Sequence, residues 1–248
     1  MHVDLTNQVA LVTGAAHRVG KAIALELARR GAHVMLHYYQ SSEDTVRETL
    51  QEIKSFGVKA FQVQADIGTV EGVEAVFSAV RESFGRLDIL VNSASIFQRR
   101  TLLEVTPEEW LQTMNINLFG PFLCTQQAAK LMREVPEEDP DEPTTQIRLA
   151  GGVIINICDK GSIAPWPDYA HHGVSKAGLL ALTKVSAASL GPDIRVNAVI
   201  PGPVLKPEEY SDERWAKSGV RIPLKRTGTA EDVARAVVYL ASEDFLTG

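Results

Sequence analysis

The chain has 248 residues, of which 45% are hydrophobic and 23% charged, and its formal net charge is −6. Such a chain can bury a full hydrophobic core. The negative charge argues against nucleic-acid or anionic-membrane binding, because both need a positive surface. No run reaches about 18 uninterrupted apolar residues, and the first residues lack a secretory signal pattern. We therefore expect a cytoplasmic protein without a membrane span, and a buried Cys158 rather than a disulfide framework with Cys124.

Short apolar runs rich in β-branched residues alternate with segments of helical length. The runs predict strands at residues 8–13, 32–37, 59–65, 87–92, 152–158 and 194–200. Residues 21–30 have apolar side chains at helical spacing and are followed by Gly31, a typical helix stop. Buried strands that alternate with helices are typical of a parallel sheet covered on both faces. The sequence therefore predicts one Rossmann-type, doubly wound α/β domain over residues 1–248.

Residues 134–150 interrupt this alternation just before the fifth strand. They contain three prolines and a cluster of acidic residues. This composition predicts a solvated surface insertion rather than a second domain. A tolerated loop insertion is the simpler interpretation, and a loop that docks a partner is the alternative.

Residues 12–20, VTGAAHRVG, follow the first strand and open the first helix. Gly14 permits a tight turn, and Gly20 lets helix and strand approach closely. The helix N-terminus offers free N–H groups and a positive dipole to a pyrophosphate. An ordinary strand-to-helix turn is the alternative, but the position in the first βαβ unit favours a dinucleotide-binding loop.

The end of the second strand indicates which dinucleotide is preferred. An acid there would bind the ribose 2′-hydroxyl and repel a 2′-phosphate. Residues 37–42 read HYYQSS and contain no acid before Glu43. Arg18, in the neighbouring loop, carries a permanent charge on a planar fork suited to phosphate. These features favour NADP(H) over NAD(H).

Several motifs in a fixed order resemble those of the short-chain dehydrogenase/reductase family over essentially the whole chain. TGAAHRVG resembles the family's cofactor loop, and NSAS resembles its turn after the fourth strand. NINLFGPF carries Asn117 where the family has its active-site asparagine, and VNAVIPGPV resembles the turn on which the nicotinamide rests. The resemblance implies a seventh strand after Thr247-Gly248, the point at which the sequence stops.

The resemblance also implies which residues hold the cofactor. Asp66 matches the acid that usually contacts the adenine, and Lys176 matches the lysine that binds the nicotinamide ribose. The full implied set is Thr13, Gly14, Arg18, Val19, Gly20, His37, Tyr38, Ser41, Asp66, Ile67, Asn92, Ala94, Lys176, Pro201 and Gly202.

Within the family, the chain is most similar to pteridine reductases and related dihydropteridine-type reductases. Ser95, Phe97 and Tyr169 match substrate-side residues of that subgroup, in which a pterin lies between the aromatic ring and the nicotinamide. A flat heterocycle gains from stacking on a phenyl face. Core packing for Phe97 and a simple turn role for Ser95 are the alternatives. Gln40 replaces a residue that is often basic in the subgroup, which weakens the expected grip on a 2′-phosphate.

The candidate catalytic residues lie around AHHGVSK, residues 170–176. In the family, a tyrosine four residues before the lysine passes a proton to the atom being reduced. Counting back from Lys176 gives His172, and thirteen residues further back lies Asp159, which matches the subgroup's aspartate. The resemblance therefore implies a catalytic set of Asn117, Asp159, His172 and Lys176 in which histidine replaces the usual tyrosine. On a helix, residues 172 and 176 share one face.

The charge of the His172 ring is left open by the sequence. Lys176 disfavours the imidazolium, whereas an ionised Asp159 favours it. His172 could donate the proton with Asp159 orienting it, or Asp159 with a bound water, or the substrate, could supply it. In a third interpretation, the chain binds NADP(H) without turning over the usual substrates. His171 is expected at the surface, and no metal site is expected, because adjacent side chains diverge on a helix.

The function predicted from the sequence is NADPH-dependent reduction of a dihydropteridine or another planar C=N or C=O substrate. One alternative is a carbonyl or 3-oxoacyl reductase on the same fold. The other is a non-catalytic NADP(H)-binding sensor or scaffold. Because members of the resembled family are commonly dimers or tetramers, a homodimer or homotetramer is expected, with a small molecule as substrate.

Overall fold

The computed structural model describes residues 3–134, 151–207 and 210–248. Six strands form one parallel sheet in the order β3-β2-β1-β4-β5-β6. The strands are β1 Val9–Val12, β2 His33–Tyr38, β3 Ala60–Gln64, β4 Ile89–Asn92, β5 Gly152–Ile157 and β6 Ile194–Val199. All six predicted strands are confirmed. The predicted insertion, apart from Glu134, lies outside the described residues.

Eight α-helices occur in the described part of the chain. They are α1 Arg18–Arg29, α2 Glu43–Lys54, α3 Val70–Phe84, α4 Pro107–Met114, α5 Gly120–Arg133, α6 Ala170–Leu190, α7 Asp212–Val220 and α8 Ala230–Ser242. Serine or threonine N-caps begin several of them, because a side-chain oxygen accepts a hydrogen bond from a free backbone N–H. Thr106 and Thr229 additionally form capping boxes with Glu109 and Asp232.

Two hydrophobic clusters cover the two faces of the sheet. One joins the sheet to α1, α2 and α8, and the other joins it to α3, α5 and α6. This arrangement confirms the doubly wound α/β fold. Cys124 and Cys158 are buried and free, and burial raises their thiol pKa values to about 12 and about 11 respectively. Both therefore act as small apolar side chains, as predicted for Cys158.

The strand order places the candidate site. β1 lies between β2 and β4, so the chain reverses its direction of winding at this point. Ligands of open α/β sheets bind in the crevice beyond the carboxyl ends of the strands at such a reversal. The loops after β1, β4 and β5 meet there, and α6 crosses the same edge. Among the described residues, no helix is both long and apolar enough to cross a membrane.

The close approach of helix and strand depends on the absence of a side chain at Gly20. A Cβ there would lie 2.1 Å from the Gly14 carbonyl oxygen. We expect Gly20→Ala to lower the free energy of unfolding by about 2 kcal/mol, because the loop must move to admit the methyl group. The control is Gly173→Ala in α6, where the nearest atom is 3.8 Å away; it should stabilise by roughly 0.5 kcal/mol through helix propensity. Urea unfolding measures both, and equal stabilities of the two variants would contradict the packing argument.

Candidate active site

The loop after β1 has the geometry of a phosphate cradle. Gly14 has a φ of +65°, and a Cβ at this position would lie 2.8 Å from the Ala94 Cα. The N-cap residue of α1, His17, makes no side-chain cap, so the first N–H groups of the helix stay available. Arg18 begins the helix with an exposed side chain, and Val19 packs against the core behind it. These features fit a pyrophosphate.

His37 supports this loop from behind. Its ring is buried, Nδ1 accepts the Gly14 N–H at 3.2 Å, and Nε2 donates to the Ala65 carbonyl at 3.0 Å. Burial lowers the pKa of His37 to about 4, so the ring is neutral. Both ring nitrogens of His37 already have backbone partners, so its side chain supports the loop. The Tyr38 ring packs in the first cluster. The contacts of these two residues with a cofactor stay predictions.

The predicted adenosine end of the groove is built from short polar side chains. The Ser41 hydroxyl lies 3.2 Å from His17 Nδ1, beside the exposed Arg18. Asp66 Oδ1 accepts the Gly68 N–H at 2.9 Å. The Ile67 side chain is buried in the second cluster, so only its backbone is left for a ligand. No acid stands between His37 and Glu43 at this edge.

Thr13 joins the two loops that flank the crevice. Its hydroxyl accepts the N–H groups of Ser93 and Ala94 at 3.0 and 3.1 Å. This fully buried threonine therefore acts by holding the turn after β4 against the phosphate loop. Pro201 and Gly202 follow β6 on the other side of the crevice, and a Cβ at Gly202 would meet no atom within 4 Å.

A buried row of polar side chains runs beneath the crevice. Asn92 Nδ2 donates to Asn156 Oδ1 at 2.8 Å, and Asn156 Nδ2 donates to the Thr183 hydroxyl at 2.9 Å. Asn92 Oδ1 is buried and has no hydrogen-bond partner among the described residues. An unpaired buried acceptor at the predicted nicotinamide end is compatible with a bound group that donates a hydrogen bond.

The His172 ring lies between two oxygen atoms. It is 2% exposed, Nδ1 lies 3.0 Å from the Ile96 carbonyl oxygen, and Nε2 is hydrogen-bonded to Asp159 Oδ2. The other carboxylate oxygen, Asp159 Oδ1, accepts the Gly161 N–H at 2.7 Å. The structure therefore brings the predicted pair His172 and Asp159 into direct contact.

The pKa values of Asp159 and Lys176 are both lowered, but for different reasons. Burial alone would raise the pKa of Asp159, but the hydrogen bond from His172, the charges of His172 and Lys176 and the Gly161 N–H together lower it. Burial lowers the pKa of Lys176, an effect that the charge of Asp159 opposes. Lys176 Nζ donates to the Ile157 carbonyl at 2.8 Å, on the same face of α6 as His172. Because its pKa is lowered, the carboxyl of Asp159 is ionised near neutral pH.

Asn117 clamps the loop after β4. It lies in a π-helical turn, Asn115–Phe119, that separates α4 from α5; such turns are frequent at functional sites. Its Oδ1 accepts the Ile96 N–H at 2.9 Å, and its Nδ2 donates to the Ile96 carbonyl at 3.0 Å. Nδ2 also donates to the Ser175 hydroxyl at 3.1 Å. Asn117 and His172 of the predicted catalytic set thus meet at the backbone of Ile96.

An aromatic cluster covers His172 on the open side of the crevice. The Phe97 ring stacks on Tyr169 at 4.4 Å and meets the His172 ring edge-on at 4.7 Å. Trp166 lies 5.7 Å from Phe97 and 4.8 Å from Tyr169. Phe97 is 48% exposed, so the core-packing alternative is wrong. Ser95 is exposed beside it, and its hydroxyl donates to the Ile96 carbonyl at 3.3 Å.

Comparisons with known proteins place this geometry in a family. A family model described as Enoyl-(Acyl carrier protein) reductase matches residues 14–248. The 3-oxoacyl-[acyl-carrier-protein] reductase FabG of Staphylococcus aureus is 35% identical over 244 residues, 96% of this chain and 93% of that protein. A crystal structure of a short-chain type dehydrogenase/reductase from Mycobacterium marinum aligns with a TM-score of 0.83 and 30% identity, covering 98% of this chain and 92% of that one. The chain belongs to the short-chain dehydrogenase/reductase family.

Other relatives within the family carry different names. The 3beta-hydroxysteroid dehydrogenase 1 of Eggerthella lenta is 36% identical over 257 residues, which cover 100% of this chain and 92% of that protein. Membership of the short-chain dehydrogenase/reductase family identifies the chain as an oxidoreductase that uses a nicotinamide dinucleotide. Because relatives of similar identity carry different names, the substrate has to be inferred from the site itself.

His171 does not lie at the surface, where the sequence predicts it, but is fully buried. Neither of its ring nitrogens has a hydrogen-bond partner among the described residues. The ring packs towards α4, where Glu109 favours its charged form, but burial outweighs this and lowers the pKa of His171. Within the described ranges, no three His, Cys, Asp or Glu side chains cluster as a metal site would require.

Two residues of the site were missed. Trp166 belongs to the aromatic cluster, and the signal for it was its spacing of three residues before Tyr169 in a loop that follows Asp159. Ser175 bonds to Asn117 from the middle of α6. A serine between His172 and Lys176 gave no sign of burial, because serine is usually exposed.

His37 generates a prediction for stability against pH. Its folded-state pKa of about 4 is below the ordinary 6.5, so the stability due to the neutral ring is complete above about pH 6.5 and is lost as the pH falls towards 4. The loss amounts to about 3 kcal/mol. Urea unfolding of wild type and His37→Gln at neutral pH and near pH 4 measures it. The variant should be less stable at neutral pH and should lose less on acidification; parallel curves would show that His37 is not the responsible group.

Proposed function

We propose that the chain is an NADPH-dependent reductase of a planar C=N or C=O substrate, in which the pair His172 and Asp159 supplies the proton. The observation that carries the proposal is the hydrogen bond between the buried His172 ring and Asp159 at the crevice. In the parent family chemistry, a tyrosine hydroxyl has this task. Here an ion pair takes its place, and its geometry suits proton delivery.

The cofactor side of the proposal rests on the charge at the adenosine end. Ser41 lies beside His17, the chain neighbour of the exposed Arg18, and no acid stands between His37 and Glu43 to repel a 2′-phosphate. Such a site favours NADP(H) over NAD(H). The bound cofactor would supply the hydride, while Asn92 and Lys176 would hold its nicotinamide ribose end.

The proton would travel through two groups. With Asp159 ionised, Nε2 of His172 must donate to Oδ2, and Nδ1 must donate to the Ile96 carbonyl, so the ring is an imidazolium. The Asp159 side chain is 22% exposed and that of His172 only 2%. Asp159 is therefore the group that reaches the substrate. The proton on Nε2 moves to Oδ2 and on to the substrate atom that gains it, and a proton from water then recharges the imidazole.

The aromatic cluster supports a flat substrate. Phe97 is exposed over about half of its surface while Tyr169 covers one of its faces. The remaining surface can stack on a heterocycle of the pteridine type. Lys176 anchors the end of β5, which leads to Asp159, and Asn117 anchors the loop that carries Phe97. Together they would hold a substrate close to Asp159.

A second candidate is reduction of a 3-oxoacyl thioester. It is favoured by the 35% identity to a protein named 3-oxoacyl-[acyl-carrier-protein] reductase. The same proton pair would serve a ketone, because only the substrate pocket distinguishes the two reactions. We also propose that copies of the chain associate through an apolar surface of the π-helical turn, α5 and α6, where Phe119, Phe122 and Val185 are exposed.

The assay follows NADPH consumption with a dihydropteridine and, separately, with an acetoacetyl thioester, across about pH 5 to 8. Wild type should reduce one of them, because the pair His172 and Asp159 can supply the proton. Asp159→Asn should lower turnover by about a hundredfold or more while NADPH still binds. The control is Asp168→Asn, an exposed acid that pairs with Arg99 and should leave turnover within a factor of two or so.

His172→Tyr separates catalysis from mere cofactor binding. This variant restores the phenol of the family, so it should be active. Silence of wild type with both substrates, together with activity of His172→Tyr, would overturn the catalytic proposal and favour an NADP(H)-binding protein that does not turn over.

A further inference from the structure

Ser175 is a buried hydroxyl that the proposed reaction does not use. It lies in α6 between His172 and Lys176 and is fully buried. Its hydroxyl donates to the His172 backbone carbonyl at 2.7 Å. Because a hydroxyl has one hydrogen, its oxygen can only accept in any other bond. It accepts from Asn117 Nδ2 at 3.1 Å.

The orientation of the Asn117 amide is fixed by the backbone. Its Oδ1 accepts the Ile96 N–H at 2.9 Å, and a flipped amide would place its NH₂ group against that donor. Nδ2 therefore has two hydrogens to donate, and three atoms that could accept them lie close to it. These atoms are the Ile96 carbonyl oxygen at 3.0 Å, the Ser175 hydroxyl at 3.1 Å and His172 Nδ1 at 3.4 Å.

The two shorter contacts take both amide hydrogens. His172 Nδ1 then receives no hydrogen bond from Asn117, and its near neighbour is the Ile96 carbonyl oxygen at 3.0 Å, which can only accept. Nδ1 must carry a hydrogen of its own to avoid placing two lone pairs together. We infer that Ser175 is a positioning residue that keeps His172 Nδ1 protonated by taking the second amide hydrogen of Asn117.

The charged and titratable groups around His172 do not replace this effect. Asp159 faces Nε2 from the loop after β5, and Lys176 lies one turn further along α6. His171 is adjacent on the same helix, and Tyr169 precedes it beside the Phe97 ring. All four groups are unchanged when Ser175 is substituted. A change at His172 Nδ1 in a Ser175 variant therefore reports the lost hydroxyl.

Ser175→Ala tests the inference in the full-length chain. Alanine is a strong helix former, so α6 should persist. With no hydroxyl to bond, the free hydrogen of Asn117 can turn to His172 Nδ1, and the ring can keep its hydrogen only on Nε2. Nitrogen-15 NMR of the histidine rings at about pH 7 should show two protonated nitrogens for His172 in wild type and an unprotonated Nδ1 in Ser175→Ala. An unchanged His172 spectrum would overturn the inference.

Two further variants exclude a general effect of altering α6. Ser186→Ala removes a buried hydroxyl further along the same helix, away from His172, and should leave the His172 signals unchanged. Ser175→Thr keeps the hydroxyl and should restore the wild-type signature. Loss of the Nδ1 proton in Ser186→Ala as well as in Ser175→Ala would contradict a specific role for Ser175.

The catalytic consequence rests on the proposed function, whereas the protonation of Nδ1 does not. If His172 supplies the proton, Ser175→Ala should lower turnover about tenfold at neutral pH. A changed NMR signature with unchanged turnover would support the Ser175 inference and contradict the proposed proton source. An unchanged signature in an enzyme whose turnover still depends on His172 would contradict the inference alone.

Discussion

The contact of the His172 ring with Asp159 and with the Ile96 carbonyl is the constraint on which the site depends. It joins α6, the loop after β5 and the loop after β4 through one side chain. The ring is almost fully buried, so each nitrogen needs a partner of the right kind. Because Phe97 follows Ile96 directly and meets the His172 ring edge-on, the position of the substrate-side aromatic cluster is coupled to the same contact.

A buried imidazolium differs from a phenol in how it could serve a reductase. A tyrosine would offer its proton directly, whereas Nε2 of His172 points at Asp159 and not at open space. In the proposed reaction, the carboxylate is both the counter-ion that stabilises the charge and the route by which the proton leaves. Lys176 lies close enough to Asp159 to help keep the carboxyl ionised, and this supports the charged pair rather than opposing it.

Much of the fold was predictable because strand burial leaves a strong pattern. All six strands, the phosphate loop and the spacing from Asp159 to His172 to Lys176 could be found in the sequence. The burial of His171 could not, because helix packing against α4 overrides the usual preference of histidine for the surface. The charge of His172 could not be predicted either, because it depends on which atoms accept the two amide hydrogens of Asn117. His37 lies where the motif predicts, but its hydrogen bonds make it a support for the loop.

The central claim is that His172 and Asp159 form an imidazolium–carboxylate pair. Neutron diffraction from perdeuterated crystals of the wild-type chain at about pH 7 tests it most directly, because deuterium atoms are seen individually. The account predicts deuterium on both Nδ1 and Nε2 of His172 and none on either oxygen of Asp159. A bare Nδ1, a bare Nε2 or a deuterated Asp159 carboxyl would contradict it.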